Sequence, residues 1–494
     1  MRRIAKAHRS LFRAVFTITA VLLSFVPVYG QNNGQNSNSQ NNNAQSNNGQ
    51  NNNAQFNNDK KNSVIVRVHD VSHVAELSRK YGLQSLQTVN RGTGAAFLVK
   101  GLSEGQLKQL LRDEPGFAWA ESNKLLPLDG GETVLPLDGG ETVLPLDGGE
   151  TVLPLGGSTD QMISQLLDGG ETVLPLEELN AIRNAYKFLA GAVTPSSHLL
   201  LQPAFRKIGL YPSIPGATGR GVIIADLDTG ADTCHEALSG VVTYTFVSGP
   251  DANAPENCPT NSTTAVPGYG HGTRVASLLR LVAPEATVWA MRVFDNTGSA
   301  QIADIYSAVI FAADHGVSVI NMSFGTVTCS HALQDAMDYA RSRGVILVAA
   351  GGNSNVEPLM YPAQIWGVAG VVAVTTGDIR TSFSNYGTAA AESAPGYGLW
   401  VAHPNHKIAY VAGTSYASPL VAGAAALVID TYQRIYRGPA SWYFVRWSLY
   451  NGVQPIDSLN PQYSGKLGHG RLYIPSALGS TQSSNTAPAP APAS

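Results

Sequence analysis

Apolar and polar positions change period several times along the chain, and each change marks an element. Residues 63–68 (SVIVRV) alternate with the period of two of a half-buried strand, while Val74, Leu77 and Tyr81 share one side of a helix over residues 73–81. Residues 86–89 and 95–99 read as strands joined by a Gly-containing turn. Residues 102–111 read as a helix opened by Ser103, with Glu104 and Gln106 behind it, and residues 117–121 return to a strand. The order βαββαβ predicts a small α+β, ferredoxin-like module over residues 62–125, with an antiparallel sheet and two helices on one face.

A second pattern begins near residue 197 and runs to about 480. Apolar β-rich runs at residues 221–227, 287–293, 317–322, 345–350 and 370–375 alternate with helical stretches at 272–281, 302–315 and 332–343. This alternation predicts one α/β domain, a mostly parallel sheet flanked by helices.

Three stretches fit neither pattern. Residues 31–58 hold 14 Asn and 6 Gln in 28 positions, too little apolar surface to offset the entropy of ordering, so residues 31–61 are expected to be a disordered spacer. From residue 126 the nonapeptide LPLDGGETV runs three times and is followed by a further LPL; DGGETV returns at 168–173. Asp-Gly-Gly signals a turn, and Pro inside each apolar run argues against a central strand. Residues 126–196 therefore read as a linker grown by duplication, closed by a helix around 177–189. The Pro/Ala-rich residues 481–494 read as a solvated tail.

The first 13 residues carry five basic side chains and no acid, and an apolar run over 14–28 leads to Tyr29-Gly30. This is the pattern of a secretory signal cleaved after Gly30, and it predicts an extracellular or periplasmic protein that is free of the membrane after cleavage. Fifteen apolar residues interrupted by Pro are short for a span.

Composition narrows the function. Among 494 residues, 32 Lys and Arg stand against 35 Asp and Glu, a net charge of −3, which excludes the basic balance of a nucleic-acid binder. Charged residues are only 14%, and 50 Gly suit a tightly turning chain. Cys234 and Cys258, both in one segment, can close a loop by a disulfide in an oxidising compartment; three free thiols are the alternative.

Three short segments carry the chemistry, each at the edge of an apolar run. Asp228-Thr229-Gly230 follows the strand GVIIADL, His271-Gly272-Thr273 opens a helix, and Gly413-Thr414-Ser415 precedes an Ala-rich helix. A serine hydroxyl is a poor nucleophile until an imidazole takes its proton, and the imidazole needs a carboxylate to fix its tautomer. Ser415 at a helix N-terminus also places backbone N–H groups beside a developing oxyanion, and Asn353, after the strand VILVAA and a Gly-Gly turn, is a suitable second donor.

These segments, with VINMSFG, FSNYG and GTSYASPLVAG in register, resemble the catalytic domain of subtilisin-like serine proteases, the subtilase or S8 family. The order Asp, His, Ser is the one found in subtilisin, and the likeness spans about 280 residues. The resemblance implies a serine endopeptidase acting on proteins or peptides. Asp228 would be the orienting acid, His271 the general base, Ser415 the nucleophile and Asn353 the oxyanion donor. Ser323, Phe324, Gly325 and Gly352 would bind the substrate, with Phe324 beside Gly325 permitting a medium to large apolar side chain. The small module would be an inhibitory propeptide of the I9 type, a partner inside the same chain.

The chemistry requires no cofactor. Structural calcium occurs in the family, but no local ligand string places a metal here. Asp226, two residues before Asp228, stands where the family has an aliphatic residue, and Arg274 where it has His, so that the two are candidates to pair. Tyr416 replaces a common Met and Leu420 a common His. The extra Gly before Asn353 makes Asn355 an alternative donor, and a catalytically impaired, exported binding protein of the same fold is the rival reading.

Overall fold

The computed structural model describes residues 59–128, 133–134, 143–145, 185, 196–214, 216–245, 257–259 and 268–482. The secretory-signal pattern, the Asn/Gln tract up to residue 58, the Pro/Ala tail from 483, most of the repeat, and the helix expected at 177–189 apart from Ala185 lie outside them.

The small module forms as its periodicity predicts. Strands β1 (Val64–Val68), β2 (Gln84–Arg91), β3 (Gly94–Lys100) and β4 (Phe117–Ser122) make an antiparallel sheet in the order β2-β3-β1-β4. Helices Ser72–Tyr81 and Glu104–Leu111 complete the βαββαβ order. The second starts in a reciprocal capping box between Ser103 and Gln106. The two faces of β1 separate cleanly. Val64, Val66 and Val68 pack with Leu77, Leu107 and Leu111 in the module's own core, whereas Ile65, with Ala96 and Leu98 of β3, joins a core of the larger domain.

That second face is a docking surface. Arg67 and Arg91 both reach Asp335, at 3.4 and 3.1 Å, and buried Lys60 pairs with Asp304. Glu121 Oε2 accepts the backbone N–H of His331 at 2.6 Å, and Asn123 Oδ1 accepts that of Ala303 at 3.0 Å. The module thus supplies acceptors to the first turns of helices His331–Ser342 and Ile302–Asp314, where backbone donors have no partner inside the helix.

Three short strands follow: β5 (Leu125–Pro127), β6 (Thr133–Val134) and β7 (Val143–Pro145). Each is laid against the larger domain, whose strands are β8 (Ile223–Asp228), β9 (Val241–Thr245), β10 (Thr287–Arg292), β11 (Ser299–Gln301), β12 (Val319–Met322), β13 (Ile346–Ala350), β14 (Val368–Val374), β15 (Ala390–Pro395), β16 (Tyr397–His403), β17 (Lys407–Ala412), β18 (Val453–Gln454) and β19 (Arg471–Leu472). Nine of them form one sheet in the order β18-β19-β15-β14-β13-β12-β8-β10-β9. Every pairing in it is parallel except β18 with β19. β16 and β17 form a separate antiparallel hairpin, which receives β6 and β7, while β5 pairs with β11.

Helix Thr414–Tyr436 lies against this sheet, buried without interruption from Thr414 to Thr431. Its Ala and Gly residues allow the approach: a Cβ on Gly423 would lie 2.6 Å from Val282 of helix His271–Val282. No described helix is long and apolar enough to cross a membrane.

Candidate active site

Asp228 ends β8, an interior strand of the parallel sheet between β12 and β10, on the carboxyl edge where open α/β sheets present their functional groups. His271 opens the helix that packs against this edge. Gly272 is needed for the approach, since a Cβ there would overlap the Gly230 carbonyl oxygen. The contact is held by two hydroxyls: Gly272 N donates to Thr229 Oγ1 and Asp232 N to Thr273 Oγ1, both at 2.9 Å.

This geometry brings His271 Nδ1 to 2.6 Å from Asp228 Oδ1. Opposite a carboxylate, Nδ1 carries the proton, and Nε2 is left with its lone pair. The same carboxylate oxygen accepts the Thr229 backbone N–H at 2.6 Å, which fixes its orientation.

Ser415 is the second residue of helix Thr414–Tyr436. Pro419 has no N–H to give to the Ser415 carbonyl four residues back. Ser323 Oγ takes that place, donating to Ser415 O at 2.9 Å, while Ser415 Oγ donates to the Ser323 carbonyl at 3.0 Å. Ser323 therefore braces the serine from both sides.

Asn353 lies beside the same helix start. Its Oδ1 accepts both the backbone N–H and the hydroxyl of Thr414 at 2.8 Å, which fixes the carboxamide with its NH2 as the opposite end. Asn355, the alternative donor, is exposed in a left-handed turn and accepts from Arg380 at 2.7 Å, away from Thr414. The extra glycine has not displaced Asn353.

Asp226 is joined to Asn321, its register partner on β12, whose Nδ2 donates to Asp226 Oδ1 at 2.9 Å. Asn321 also takes the Ser418 hydroxyl at 2.9 Å and reaches Ser323 Oγ at 3.0 Å, so a buried polar network runs from Asp226 to the floor under Ser415. Arg274 bonds Tyr416 Oη at 2.9 Å, the Tyr269 carbonyl at 3.1 Å and His403 Nδ1 at 3.3 Å. Burial and the Arg274 charge hold the His403 imidazole down to about 3, so it meets the guanidinium as a neutral acceptor.

The expected substrate-binding residues part company. Phe324 is buried edge-to-face against Phe294, ring centroids 5.4 Å apart, in the apolar cluster that also holds Leu126 of β5. Gly325 and Gly352 both face Met360, which the sequence reading did not single out. A Cβ on Gly325 would sit 2.7 Å from Met360 Cβ, and one on Gly352 2.9 Å from Met360 Cγ. Met360 thus lies beside both glycines, and Asn385 Nδ2 is nearer still to Gly352, 2.6 Å from where its Cβ would be. No short motif contains Met360; only the long-range fold brings it there.

β5 runs antiparallel to β11 with Leu126 opposite Ala300, and Leu128 N donates to the Gly298 carbonyl at 2.8 Å. Leu128 continues toward the Asp228–His271 edge, its Cδ2 lying 2.7 Å from where a Cβ on Gly268 would be. His271, Asp228 and Ser415 are all at most 1% exposed with this segment in place. Cys234 and Cys258 are disulfide-bonded, and Cys329 is a free, exposed thiol.

The subtilase family model matches residues 219–464. Thermitase from Thermoactinomyces vulgaris is 35% identical over 222 residues, covering 43% of this chain and 76% of that protein. Subtilisin DY from Bacillus licheniformis is 35% identical over 230 residues, covering 44% and 80%. Among solved structures, fervidolysin from Fervidobacterium pennivorans, described as a keratinolytic enzyme related to subtilisin, superposes with a TM-score of 0.61 at 20% identity over 85% of this chain and 61% of its own, a likeness of fold. With three quarters or more of two curated relatives spanned at this identity, the chain belongs to the subtilase family and is a serine-type endopeptidase.

Proposed function

We propose that Asp228, His271 and Ser415 form the catalytic triad of an exported endopeptidase made as a self-processing zymogen. His271 Nε2 takes the Ser415 proton as Oγ attacks the scissile carbonyl, and Asp228 stabilises the imidazolium through Nδ1. The oxyanion is held by the Ser415 backbone N–H and by Asn353 Nδ2. The imidazolium then protonates the leaving amine, and water releases the acyl group by the reverse roles. The observation that carries this reading is the 2.6 Å His271–Asp228 bond at the sheet's carboxyl edge, with Ser415 at a helix start next to Tyr416, whose ring centroid lies 6.0 Å from that of His271.

In this reading residues 62–125 are an inhibitory propeptide, 126–196 the linker to be lost and 197–480 the mature enzyme. The seating of β5 on β11 supports it, as does the almost complete burial of Ser415. Residues 1–30 direct export. The test follows purified full-length protein by mass spectrometry, wild type beside Ser415→Ala, with a fluorophosphonate probe added to each. Wild type loses the module and labels at Ser415, and the variant stays intact and unlabelled. A folded wild type that neither cleaves nor labels after the linker is cut would overturn the triad.

A further inference from the structure

Asp226 is an acid for which the reaction of Asp228, His271 and Ser415 has no use, at a strand position where the family has an aliphatic residue. It is fully buried, as are Asn321, Ser323 and Ser418, and the four side chains carry a chain of hydrogen bonds from β8 to the nucleophile. Asn321 Nδ2 donates to Asp226 Oδ1 at 2.9 Å and to Ser323 Oγ at 3.0 Å. Ser418 Oγ donates to Asn321 Oδ1 at 2.9 Å, and Ser323 Oγ donates to the Ser415 carbonyl at 2.9 Å.

Four hydrogens serve these four bonds, two on the Asn321 amide and one on each serine hydroxyl. Each is used once, so the further contact between Ser323 Oγ and Ser418 Oγ, at 3.0 Å, takes none of them. The same side chains can also be linked in the opposite sense. With the Asn321 carboxamide turned over, Ser323 would donate to its oxygen, Ser418 would accept from its NH2 and donate to Ser323, and the Ser415 carbonyl would lose its donor. Pro419 has no N–H to offer that carbonyl instead. A carboxylate oxygen only accepts, so Asp226 beside Asn321 selects the first sense.

We propose that Asp226 is a positioning residue whose carboxylate sets the direction of this chain, and so keeps a donor on the Ser415 carbonyl and the serine aligned for attack. Ser323 then holds Ser415 at two points, because Ser415 Oγ in turn donates to the Ser323 carbonyl at 3.0 Å. A nucleophile whose backbone is fixed in this way needs no reorganisation of its own before it reacts. The role rests on Ser415 being the nucleophile of the proposed triad, and Asp226 exerts it through Asn321 and Ser323.

The test compares full-length wild type, Asp226→Val, Asp226→Asn, Ser323→Ala and the double change Asp226→Val with Ser323→Ala. The linker of each is cut by an immobilised metalloprotease, which a fluorophosphonate does not label and which is then removed. The readouts are kcat and KM on a fluorogenic peptide with Ala before the scissile bond, and the rate of fluorophosphonate labelling at Ser415, which should follow kcat. Asp226→Val is expected to lower kcat about tenfold, the scale of one buried hydrogen bond left unmade, with KM within about twofold of wild type. Asp226→Asn, which can still accept but can also donate, should fall by less. In the Ser323→Ala background the change at Asp226 should alter kcat by less than about twofold, because the bond it protects is already gone.

A kcat for Asp226→Val within about twofold of wild type, or a loss that multiplies in full with that of Ser323→Ala, overturns the proposal. A rise in KM together with a loss of stability, read by urea unfolding in a Ser415→Ala background, would show that Asp226 supports the fold instead. Should Asp226→Val not fold, Asp226→Asn, of nearly the same size, carries the cycle with Ser323→Ala. Wild type that does not label at Ser415 overturns the triad itself, a result distinct from a labelled wild type that Asp226→Val matches.

Discussion

Arg274 Nε donates to Tyr416 Oη at 2.9 Å, and both residues depart from the family pattern. Tyr416 is fully buried, its ring centroid 6.0 Å from that of His271, and Arg274 is 6% exposed. Two substitutions that look independent in sequence are one interaction in space, beside two members of the proposed triad. Tyr416→Phe should cost about 1.5–3 kcal/mol, the range for a hydrogen bond to a charged group. The double change Arg274→His with Tyr416→Met, which restores the common family pair, should cost less than the sum of the singles. Urea unfolding in a Ser415→Ala background, which prevents autolysis, measures the cycle. Additive losses would mean the bond contributes nothing.

The motif residues were legible because their chemistry is local. Asp228 follows an apolar strand, His271 and Ser415 open helices, and each sits in a glycine-bearing signature. The βαββαβ module and most parallel strands were legible because apolar periodicity decides them. What stayed hidden depends on register and on distant packing. Asp226 meets Asn321 only because β8 and β12 pair in that register. The β16–β17 hairpin, the seat of β6 and β7, has no parallel-sheet signature. Met360 reaches the two glycines from a loop with no motif.

Met360 is expected to limit the side chain that precedes the scissile bond. Its side chain lies against Gly325 and Gly352, the residues expected to line the pocket. Met360→Ala should raise kcat/KM for peptides with Phe or Leu at that position by about 10–100-fold, the scale set by one to a few methylenes in an apolar pocket. Peptides with Ala there should change little. A panel of fluorogenic peptides differing only at this residue checks it, and an unchanged preference would place the pocket elsewhere.

Asn353 is held through its oxygen by Thr414, so Asn353→Ala removes the Nδ2 donor and also the acceptor of two buried Thr414 bonds, and urea unfolding of the variant is measured beside its kinetics. Asn353→Ala should lower kcat by roughly 10²–10³-fold with KM nearly unchanged, because the interaction forms with the oxyanion and not with the ground-state carbonyl. Thr414→Val, which removes one of the two bonds that orient the carboxamide, should give a smaller fall in kcat. If Asn355→Ala has the larger effect, the assignment is wrong.

Glu392 presents a different kind of test, a buried acid remote from the motifs. It is fully buried on β15, neither carboxyl oxygen has a hydrogen-bond partner among the described residues, and burial lifts its pKa to about 7 against the opposing pull of Arg446. Arg446, itself buried, is pushed down to about 10, so the attraction does not repay the desolvation of either group. Because the folded carboxyl holds its proton more tightly than the unfolded one, its contribution to stability is fully present below about pH 4.5. It is lost as pH rises through about 7, a fall of up to roughly 3 kcal/mol across that window. Glu392→Gln, which stays neutral, should match the parent near pH 4.5 and be more stable by about 1–3 kcal/mol at pH 8. Urea unfolding of both chains at the two pH values, in the Ser415→Ala background, reads the difference. A variant less stable than the parent at pH 8 would show instead that the ionised Glu392–Arg446 pair supports the fold.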